Sequence, residues 1–379
     1  IVYIETPDGV AITSREEWVE NSSFIIRYTD GSVEDYGEAN VKGRGNWSWS
    51  QAKKPYAIKL ANKPKGRTVL GMPPHKRWVL LANPLDYLPN ALGFEVNRRT
   101  ESCKWSPRCR YVELFLNGEY KGLYLLVEQI KIDKNRIDIS EMKKTDIDGD
   151  AVTGGYLISY DDAYDEAKFR SHYYNMPVLI KNPDDDDIVP EQWNYITNYI
   201  DEAEYSLFDE EKFQSGGFYN YFNVDSWIDY YFAEELWGAY ELKRPRSVWL
   251  YKDKNDKLTA GPVWDLEQNY FDKQILYCNE ALYYKRLFQR RDVVENLQKR
   301  WVVFQSNLLG NEKYNNILEY LDSLYSTVHL SARRDRQMTP SSHNNHLSSP
   351  ESTIDLEYET IKNGIIDKIK WLNDQIMSW

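Results

Sequence analysis

Two acidic side chains follow a short apolar run in the second half of the chain. The run is Gly-Pro-Val-Trp at residues 261–264, and Asp265 and Glu267 come directly after it. Two carboxylates at this spacing, just past a strand, can both reach one hard cation, which prefers oxygen ligands. An aspartate in such a place also suits a magnesium ion that bridges to phosphate oxygens. The alternative is a pair of ordinary surface acids, because the bare spacing is common.

A glycine-containing basic segment lies near the start of the chain. Residues 42–46 read Lys-Gly-Arg-Gly-Asn, with Arg44 between the glycines, and Lys53, Lys54 and Lys59 follow. Glycines let a backbone approach a ligand closely, and successive N–H groups can cradle phosphate oxygens. The segment lacks the Gly-Lys-Ser/Thr ending of a Walker A loop. A plain turn is the alternative to a phosphate-binding loop.

Three further carboxylates precede the Asp265 region. Glu234 and Glu235 lie on a predicted helix, and Glu241 follows it. A carboxylate there suits a general base or a second metal ligand, whereas solvated glutamates on a helix face are the structural alternative. The loop at residues 242–246 is basic, which would suit a phosphate.

These residues need strands and helices to position them. Period-two alternation and short apolar runs predict strands mainly in the first half. The predicted strands cover residues 24–28, 56–60, 77–82, 111–116, 119–126, 154–158 and 177–180. Asn117-Gly118 predicts a type I′ hairpin turn, because both central residues of that turn need positive φ.

Helical patterns dominate the rest of the chain. They cover residues 90–99, 190–203, 225–237, 282–308, 314–333 and 354–379, with one hairpin of residues 247–251 and 258–263. An acidic run at residues 184–187 marks the change of character. The sequence therefore predicts an α+β fold with a β-rich part, residues 1–183, and a mainly helical part, residues 184–379.

Composition excludes several classes of protein. A net charge of -12 repels nucleic acid and anionic membranes, so a phosphate site here must be locally basic or loaded with metal. No apolar run approaches the ~20 residues that a membrane-spanning helix needs. The first residue, Ile1, is not an initiator Met, which suggests a trimmed targeting segment. Cys103 and Cys109 either pair across a short loop or stay reduced.

Taken in order, seven segments resemble the CotH kinase family, the atypical kinases of the spore coat protein H type. The segments are residues 41–46, 53–60, 78–83 with 90–92, 110–124, 154–157, 225–230 and 261–265. The hairpin around Asn117-Gly118 and the Gly-Pro-Val-Trp-Asp block that ends at Asp265 are the most specific of them. Together they span roughly residues 41–271.

The resemblance implies a two-lobed kinase-like fold and phosphoryl transfer from ATP, with magnesium, to a protein. It also implies a location outside the cytoplasm. Asp265 matches the family's metal-binding aspartate. Lys59 resembles the strand lysine that faces phosphates, with Glu128 as its partner, and Arg44 lies in the family's glycine-rich segment.

Two departures from the family pattern keep other functions open. The family commonly continues Asp-Phe-Asp, whereas this chain has Asp265, Leu266 and Glu267. Glu241 stands where the family tends to have an Asp on the loop after the helix. A displacement of about 1 Å at a reacting group can cost roughly a hundredfold in rate. A nucleotide-binding pseudokinase or scaffold is therefore one alternative. A glycan-binding or carbohydrate-active protein is another, because aromatic residues reach 15% and paired carboxylates are present.

Overall fold

The computed structural model describes residues 1–62, 67–162, 168–184, 186–266, 274–339 and 354–379 of the chain. The strands are β1 Val2–Glu5, β2 Val19–Arg27, β3 Val33–Gly43, β4 Tyr56–Leu60, β5 Arg77–Leu81, β6 Cys109–Leu116, β7 Glu119–Glu128, β8 Tyr156–Tyr160, β9 Lys168–Arg170, β10 Pro177–Asn182, β11 Val248–Lys252 and β12 Thr259–Ala260. The helices are α1 Trp47–Ser50, α2 Pro89–Arg98, α3 Pro190–Phe208, α4 Glu210–Gln214, α5 Val224–Trp237, α6 Tyr284–Leu287, α7 Arg291–Leu309, α8 Ile317–Met338 and α9 Ile354–Met377. The predicted α+β class is confirmed.

The chain divides into two compact units, and each is built from several stretches of sequence. The first unit comprises Ile1–Ala91, Pro107–Gln129 and Leu321–Thr360. The second comprises Leu92–Ser106, Ile130–Tyr320 and Ile361–Trp379. The sequence predicted a single division after residue 183. The observed division differs from it, because some of the boundaries between the units fall within α2, α8 and α9. The two-lobed kinase-like layout stays a prediction.

The first unit contains a closed barrel of seven strands in the order β1-β2-β3-β4-β5-β7-β6. A parallel pairing between β1 and β6, with Val2 opposite Leu114 and Ile4 opposite Leu116, closes it. Closure leaves no unpaired strand edge. Alternate residues of the strands fill the interior, as in β2, where Phe24 and Ile26 are fully buried. The sequence predicted five of the seven strands, β2, β4, β5, β6 and β7. It predicted neither β1 and β3 nor the closure of the barrel.

The Asn-Gly hairpin is confirmed. Asn117 and Gly118 have φ values of 52° and 72°, as a type I′ turn requires, and they join β6 to β7. The Asn117 side chain also accepts a hydrogen bond from the backbone N–H of Thr6 at 2.8 Å. This contact ties the turn to the segment that follows β1.

Two carboxyl groups are buried together in the first unit. The Glu357 carboxylate on α9 accepts hydrogen bonds from the backbone N–H groups of Tyr87 and Leu88. Asp86 is 3% exposed, and its Oδ1 atom has no hydrogen-bond partner. Burial raises the pKa of both carboxyls, and the Asp86 charge raises that of Glu357 further, while Arg336 opposes both shifts. Each carboxyl therefore holds its proton at a pH where the unfolded chain has released it.

These raised pKa values give stability a pH dependence with a definite sign. The contribution of these two carboxyls to the free energy of unfolding is fully present below the ordinary carboxyl pKa of about 4. It is lost as the pH rises through their pKa values in the folded protein. We expect Asp86→Asn to have a higher free energy of unfolding than the wild type at about pH 8. This advantage should be at least about 1 kcal/mol larger at about pH 8 than at about pH 5. Urea unfolding at the two pH values measures this, with the exposed Asp148→Asn as control. An equal effect of Asp86→Asn at both pH values would contradict it.

The second unit is built on a five-stranded sheet in the order β12-β11-β8-β10-β9, in which neighbouring strands are antiparallel. Helix α5 is buried along almost its whole length, with Asp225 as its exposed residue. The side chain of Asn223 caps the start of α5, and Gly238, with φ 66°, ends it in the left-handed conformation. The helix thus stops just before the basic loop.

One expectation about the second unit needs correction. The pattern at residues 282–308 forms two helices, α6 and α7, rather than one, because Arg290 between them has extended backbone with φ -89° and ψ 121°. The three cysteines are free thiols, so the reduced state, one of the two alternatives for Cys103 and Cys109, is the one observed. In the described part of the chain, no helix is long and apolar enough to cross a membrane.

Candidate functional site

Asp265 is an exposed residue between two buried ones. Val263 is fully buried, and Trp264 and Leu266 are 8% and 2% exposed, whereas Asp265 faces solvent. The segment begins where the backbone N–H of Gly261 donates to the carbonyl of Trp249 at 2.8 Å, which ties it to the strand β11. Burial of the flanking side chains therefore fixes the direction in which the Asp265 carboxylate points.

The anchors on either side of Asp265 pack against helix α2. The Trp264 ring lies 5.6 Å from the Phe94 ring, centroid to centroid. Leu266 covers Gly93 so closely that a Cβ atom there would lie 2.0 Å from Leu266 Cδ1. Asp265 itself has φ 57°, in the left-handed region that side-chain-bearing residues seldom adopt. Aspartate adopts this conformation more readily than most residues, so the buried neighbours rather than the φ value fix the position of its carboxylate.

Sequence reasoning missed two residues here: Ser247, which contacts this carboxylate, and Asp161, which contacts Ser247. Ser247 Oγ donates a hydrogen bond to Asp265 Oδ2 at 2.7 Å. The backbone N–H of Ser247 in turn donates to Asp161 Oδ2 at 3.1 Å. Asp161 directly follows β8 and Ser247 directly precedes β11, and these strands pair with Tyr160 opposite Val248. The signal that was available is the aspartate at the end of the buried strand β8.

The basic loop borders a cavity in the same unit. Lys243, Arg244 and Arg246 are exposed, while Leu242 is 4% exposed and anchors the loop. The cavity has a volume of about 720 Å³, and Arg170 also contributes to its wall. Positive charge is therefore concentrated beside Ser247 in a chain whose net charge is -12.

Comparison with known families now bears on this geometry. A family model described as CotH kinase protein matches residues 41–372, which include both the barrel strands from β4 onward and the Asp265 segment. The chain belongs to the CotH kinase family. Comparison with curated proteins gave no match. The resemblance first seen in seven segments is thus confirmed, and it extends well beyond residue 271.

The residues predicted to face phosphates in a CotH kinase lie in the first unit. Lys59 is half-buried on β4, and its ammonium forms no hydrogen bond or ion pair with another described residue. Glu128, at the end of β7, is fully buried and accepts hydrogen bonds from the backbone N–H and the guanidinium of Arg108 at 2.9 and 3.1 Å. The predicted Lys59–Glu128 pair is thus not formed, because Arg108 neutralises this carboxylate. Arg44 follows β3, and its backbone N–H donates to the carbonyl of Pro55.

The glycines beside Arg44 have structural reasons of their own. A Cβ atom at Gly43 would lie 2.4 Å from the ring of Trp49. Gly45 has φ 76°, which other residues rarely adopt. These constraints account for both glycines without a ligand, so they neither support nor oppose the predicted phosphate contact of Arg44.

The predicted acidic partners of Asp265 fall partly outside what the structure describes. Glu267 lies outside the described residues. The backbone of Glu241 belongs to the 3-10 turn Tyr240–Lys243, but its side chain lies outside the described part of the chain. Their roles as metal ligand and catalytic base stay predictions.

The interpretation of Glu234 and Glu235 as solvated helix-face residues is wrong. They are 3% and 1% exposed on α5. Glu235 accepts hydrogen bonds from the backbone N–H groups of Tyr277 and Cys278 at 2.8 and 2.6 Å, and Lys368 lies 3.7 Å away. Burial raises the pKa of Glu235 despite these donors. This carboxylate holds the segment around residue 278 against α5.

The described donors at Asp265 are its own carboxylate and the Ser247 hydroxyl. Among the described residues, no group of three or more His, Cys, Asp or Glu side chains is placed to hold an ion. Structural zinc needs such a group, whereas magnesium is often bound by one or two carboxylates and completes its shell with water and substrate phosphates. An exposed carboxylate with a hydroxyl beside it, as at Asp265 and Ser247, meets that second requirement.

Proposed function

We propose that this CotH kinase family member binds magnesium-ATP through Asp265 and transfers a phosphoryl group to a protein. The observation that carries the proposal is the Asp265 carboxylate, which is exposed between buried Trp264 and Leu266 and accepts a hydrogen bond from Ser247. Burial of both neighbours presents this side chain at a fixed place. The Asp265 segment is also the block most specific to the family.

Each residue has a distinct task in this proposal. The carboxylates of Asp265 and Glu267 hold magnesium, which neutralises phosphate charge when bound. The ammonium of Lys59 and the guanidinium of Arg44 bind phosphate oxygens. Glu241 accepts the proton of the acceptor hydroxyl. A location outside the cytoplasm belongs to the same proposal, because it rests on the resemblance to the family.

Thermal stability with and without nucleotide tests the binding step. A ligand that binds only the folded state stabilises it by about 2.7 kcal/mol at one hundred times its Kd. We expect ATP to raise the melting temperature of the wild type only when magnesium is present, and to have no such effect on Asp265→Ala. Asp148→Ala removes an equally exposed carboxylate elsewhere in the second unit and should respond like the wild type. An undiminished rise in Asp265→Ala would overturn the assignment.

The two departures from the family pattern favour a second candidate function. In it the protein is a pseudokinase or scaffold that binds nucleotide without turnover. Glu267 and Glu241 each carry one more methylene than the Asp that the family tends to have at these positions. Binding and transfer are therefore separate questions. The thermal measurement addresses the first of them only.

A further inference from the structure

The 720 Å³ cavity of the second unit is lined by the loop that carries Lys243, Arg244 and Arg246. Arg170, the last residue of β9, also lines it and forms an ion pair with Asp162. The volume of the cavity lies within the range of about 300–1,000 Å³ that ligand-binding pockets usually have. Tyr174 and Asn175 add neutral polar groups to the lining.

Among the residues that the structure describes, both acids that line the cavity are paired. Asp162 forms an ion pair with Arg170. Glu280 lies 3.2 Å from the ammonium of Lys285. Lys243, Arg244 and Arg246, in contrast, form no hydrogen bond or ion pair with any residue that the structure describes.

Isolated exposed cations are usually only solvated, so the number of cations alone does not indicate a ligand-binding site. Three cations on one short loop repel one another, and solvation alone does not favour their placement around one cavity. Here they converge on a cavity, and Arg246 directly precedes Ser247, which binds Asp265. An anionic group bound in the cavity would relieve that repulsion.

We propose that this cavity binds acidic side chains of the peptide that carries the acceptor hydroxyl. The inference rests on the proposed phosphoryl transfer and adds the class of acceptor. A nucleotide is the other anionic candidate. Asp265, however, which would hold the metal of a bound nucleotide, does not line the cavity. The cavity thus includes Arg246, the neighbour of Ser247, but not the proposed metal ligand, which suits a pocket for the acceptor.

Arginine suits this recognition for a geometric reason. The planar guanidinium groups of Arg244 and Arg246 can each donate two parallel hydrogen bonds to a carboxylate. The chain as a whole repels an acidic peptide because its net charge is -12. Only a segment that reaches the loop itself gains from these cations, and the gain weakens as salt is added.

Two serine-containing peptides that differ only in Glu or Gln at the flanking positions test the proposal. Their binding is measured by fluorescence anisotropy without nucleotide, and their phosphorylation in a separate assay. We expect the wild type to bind the Glu peptide at least about tenfold more tightly than the Gln peptide. The double variant Arg244→Gln with Arg246→Gln should lose that preference. The double variant Arg291→Gln with Lys299→Gln removes two charges from α7 and should keep it.

Equal binding of the two peptides by the wild type would overturn the inference, as would an unchanged preference in the Arg244 and Arg246 double variant. Full competition by ATP in the absence of magnesium would overturn it too, because the cavity would then be a site for nucleotide phosphates. Equal phosphorylation of the Glu and Gln peptides, with no difference in their binding, would contradict this inference but leave the proposed function intact. A Glu preference that depends on the two arginines, with no transfer to either peptide, would retain the peptide site and count against the proposed function.

Discussion

Asp265→Asn is expected to lower phosphoryl transfer on the order of a thousandfold or more, while the free energy of unfolding changes by less than about 1 kcal/mol. Asn has nearly the same shape as Asp and tolerates the left-handed conformation that Asp265 adopts. Its amide oxygen can still accept the hydrogen bond from Ser247. The change therefore removes mainly one negative charge, and a metal contact to a reacting phosphoryl group is worth several kcal/mol.

Transfer of label from ATP to dephosphorylated casein, with urea unfolding in parallel, measures both parts of this prediction. Asp148→Asn is the matched control, because it removes an exposed carboxylate of the same unit. Transfer by Asp265→Asn at the rate of the wild type would contradict the proposed function.

A wild type that binds magnesium-ATP but transfers nothing would instead identify a pseudokinase. The double variant Glu241→Asp with Glu267→Asp then becomes informative, because it restores the shorter acids that the family tends to have. A gain of transfer in that variant would place the defect at these two carboxylates. No gain would place it elsewhere in the site.

Local patterns in the sequence were enough for many of the elements. The alternation at residues 56–60 matches β4 from end to end, and Asn117-Gly118 forms the predicted turn. Asp265 was singled out as a candidate because the apolar run before it is continuous. These features depend on neighbours along the chain, which a sequence displays directly.

Features that depend on distant residues were not predictable in this way. The barrel closes through β1 and β6, whose paired residues are more than one hundred positions apart. Ser247 reaches Asp265 only because β8 and β11 pair and bring their ends together. Glu235 looks like a surface residue in the sequence, since Lys368, its ionic partner, lies on the last helix.

Lys53 shows the same limitation most clearly. It follows the glycine-containing segment and looks like part of a basic surface, yet it is 7% exposed. Its ammonium lies 2.7 Å from Asp335 on α8, and it also donates to the carbonyl of Leu123. Asp335 accepts further hydrogen bonds from the Tyr87 hydroxyl at 2.7 Å and the Leu123 N–H at 3.0 Å. Lys53 therefore holds α8 within the first unit and is not available to a phosphate.

A glycine makes this close approach possible. Gly122 on β7 has φ 96°, and a Cβ atom there would lie 1.9 Å from Asp335 Oδ1. The strand has to accept an irregular residue at this point so that the carboxylate can reach the Leu123 N–H. The sequence displays Gly122 only as an interruption of a strand.

Asp335→Asn is expected to lower the free energy of unfolding by about 3–5 kcal/mol at neutral pH, because it leaves a buried ammonium without its counter-ion. Asp355→Asn is the matched control on α9. It breaks the ion pair with Arg333. The side chains of Asp355 and Arg333 are 39% and 46% exposed, and such exposed pairs contribute about 0–1 kcal/mol. Urea unfolding of the two variants and the wild type measures the difference. Similar losses in both variants would contradict a stabilising role for the buried pair.

The pH dependence of that loss separates charge from packing. Burial lowers the pKa of Lys53 to about 8, although the Asp335 charge partly restores it. Because the folded-state pKa lies below that of the unfolded chain, Lys53 loses its proton first in the folded protein as the pH rises above about 8. Above that pH the wild type has little ionic attraction left to lose. The deficit of Asp335→Asn should therefore shrink at about pH 9.5, whereas a deficit caused by lost packing would be the same at both pH values.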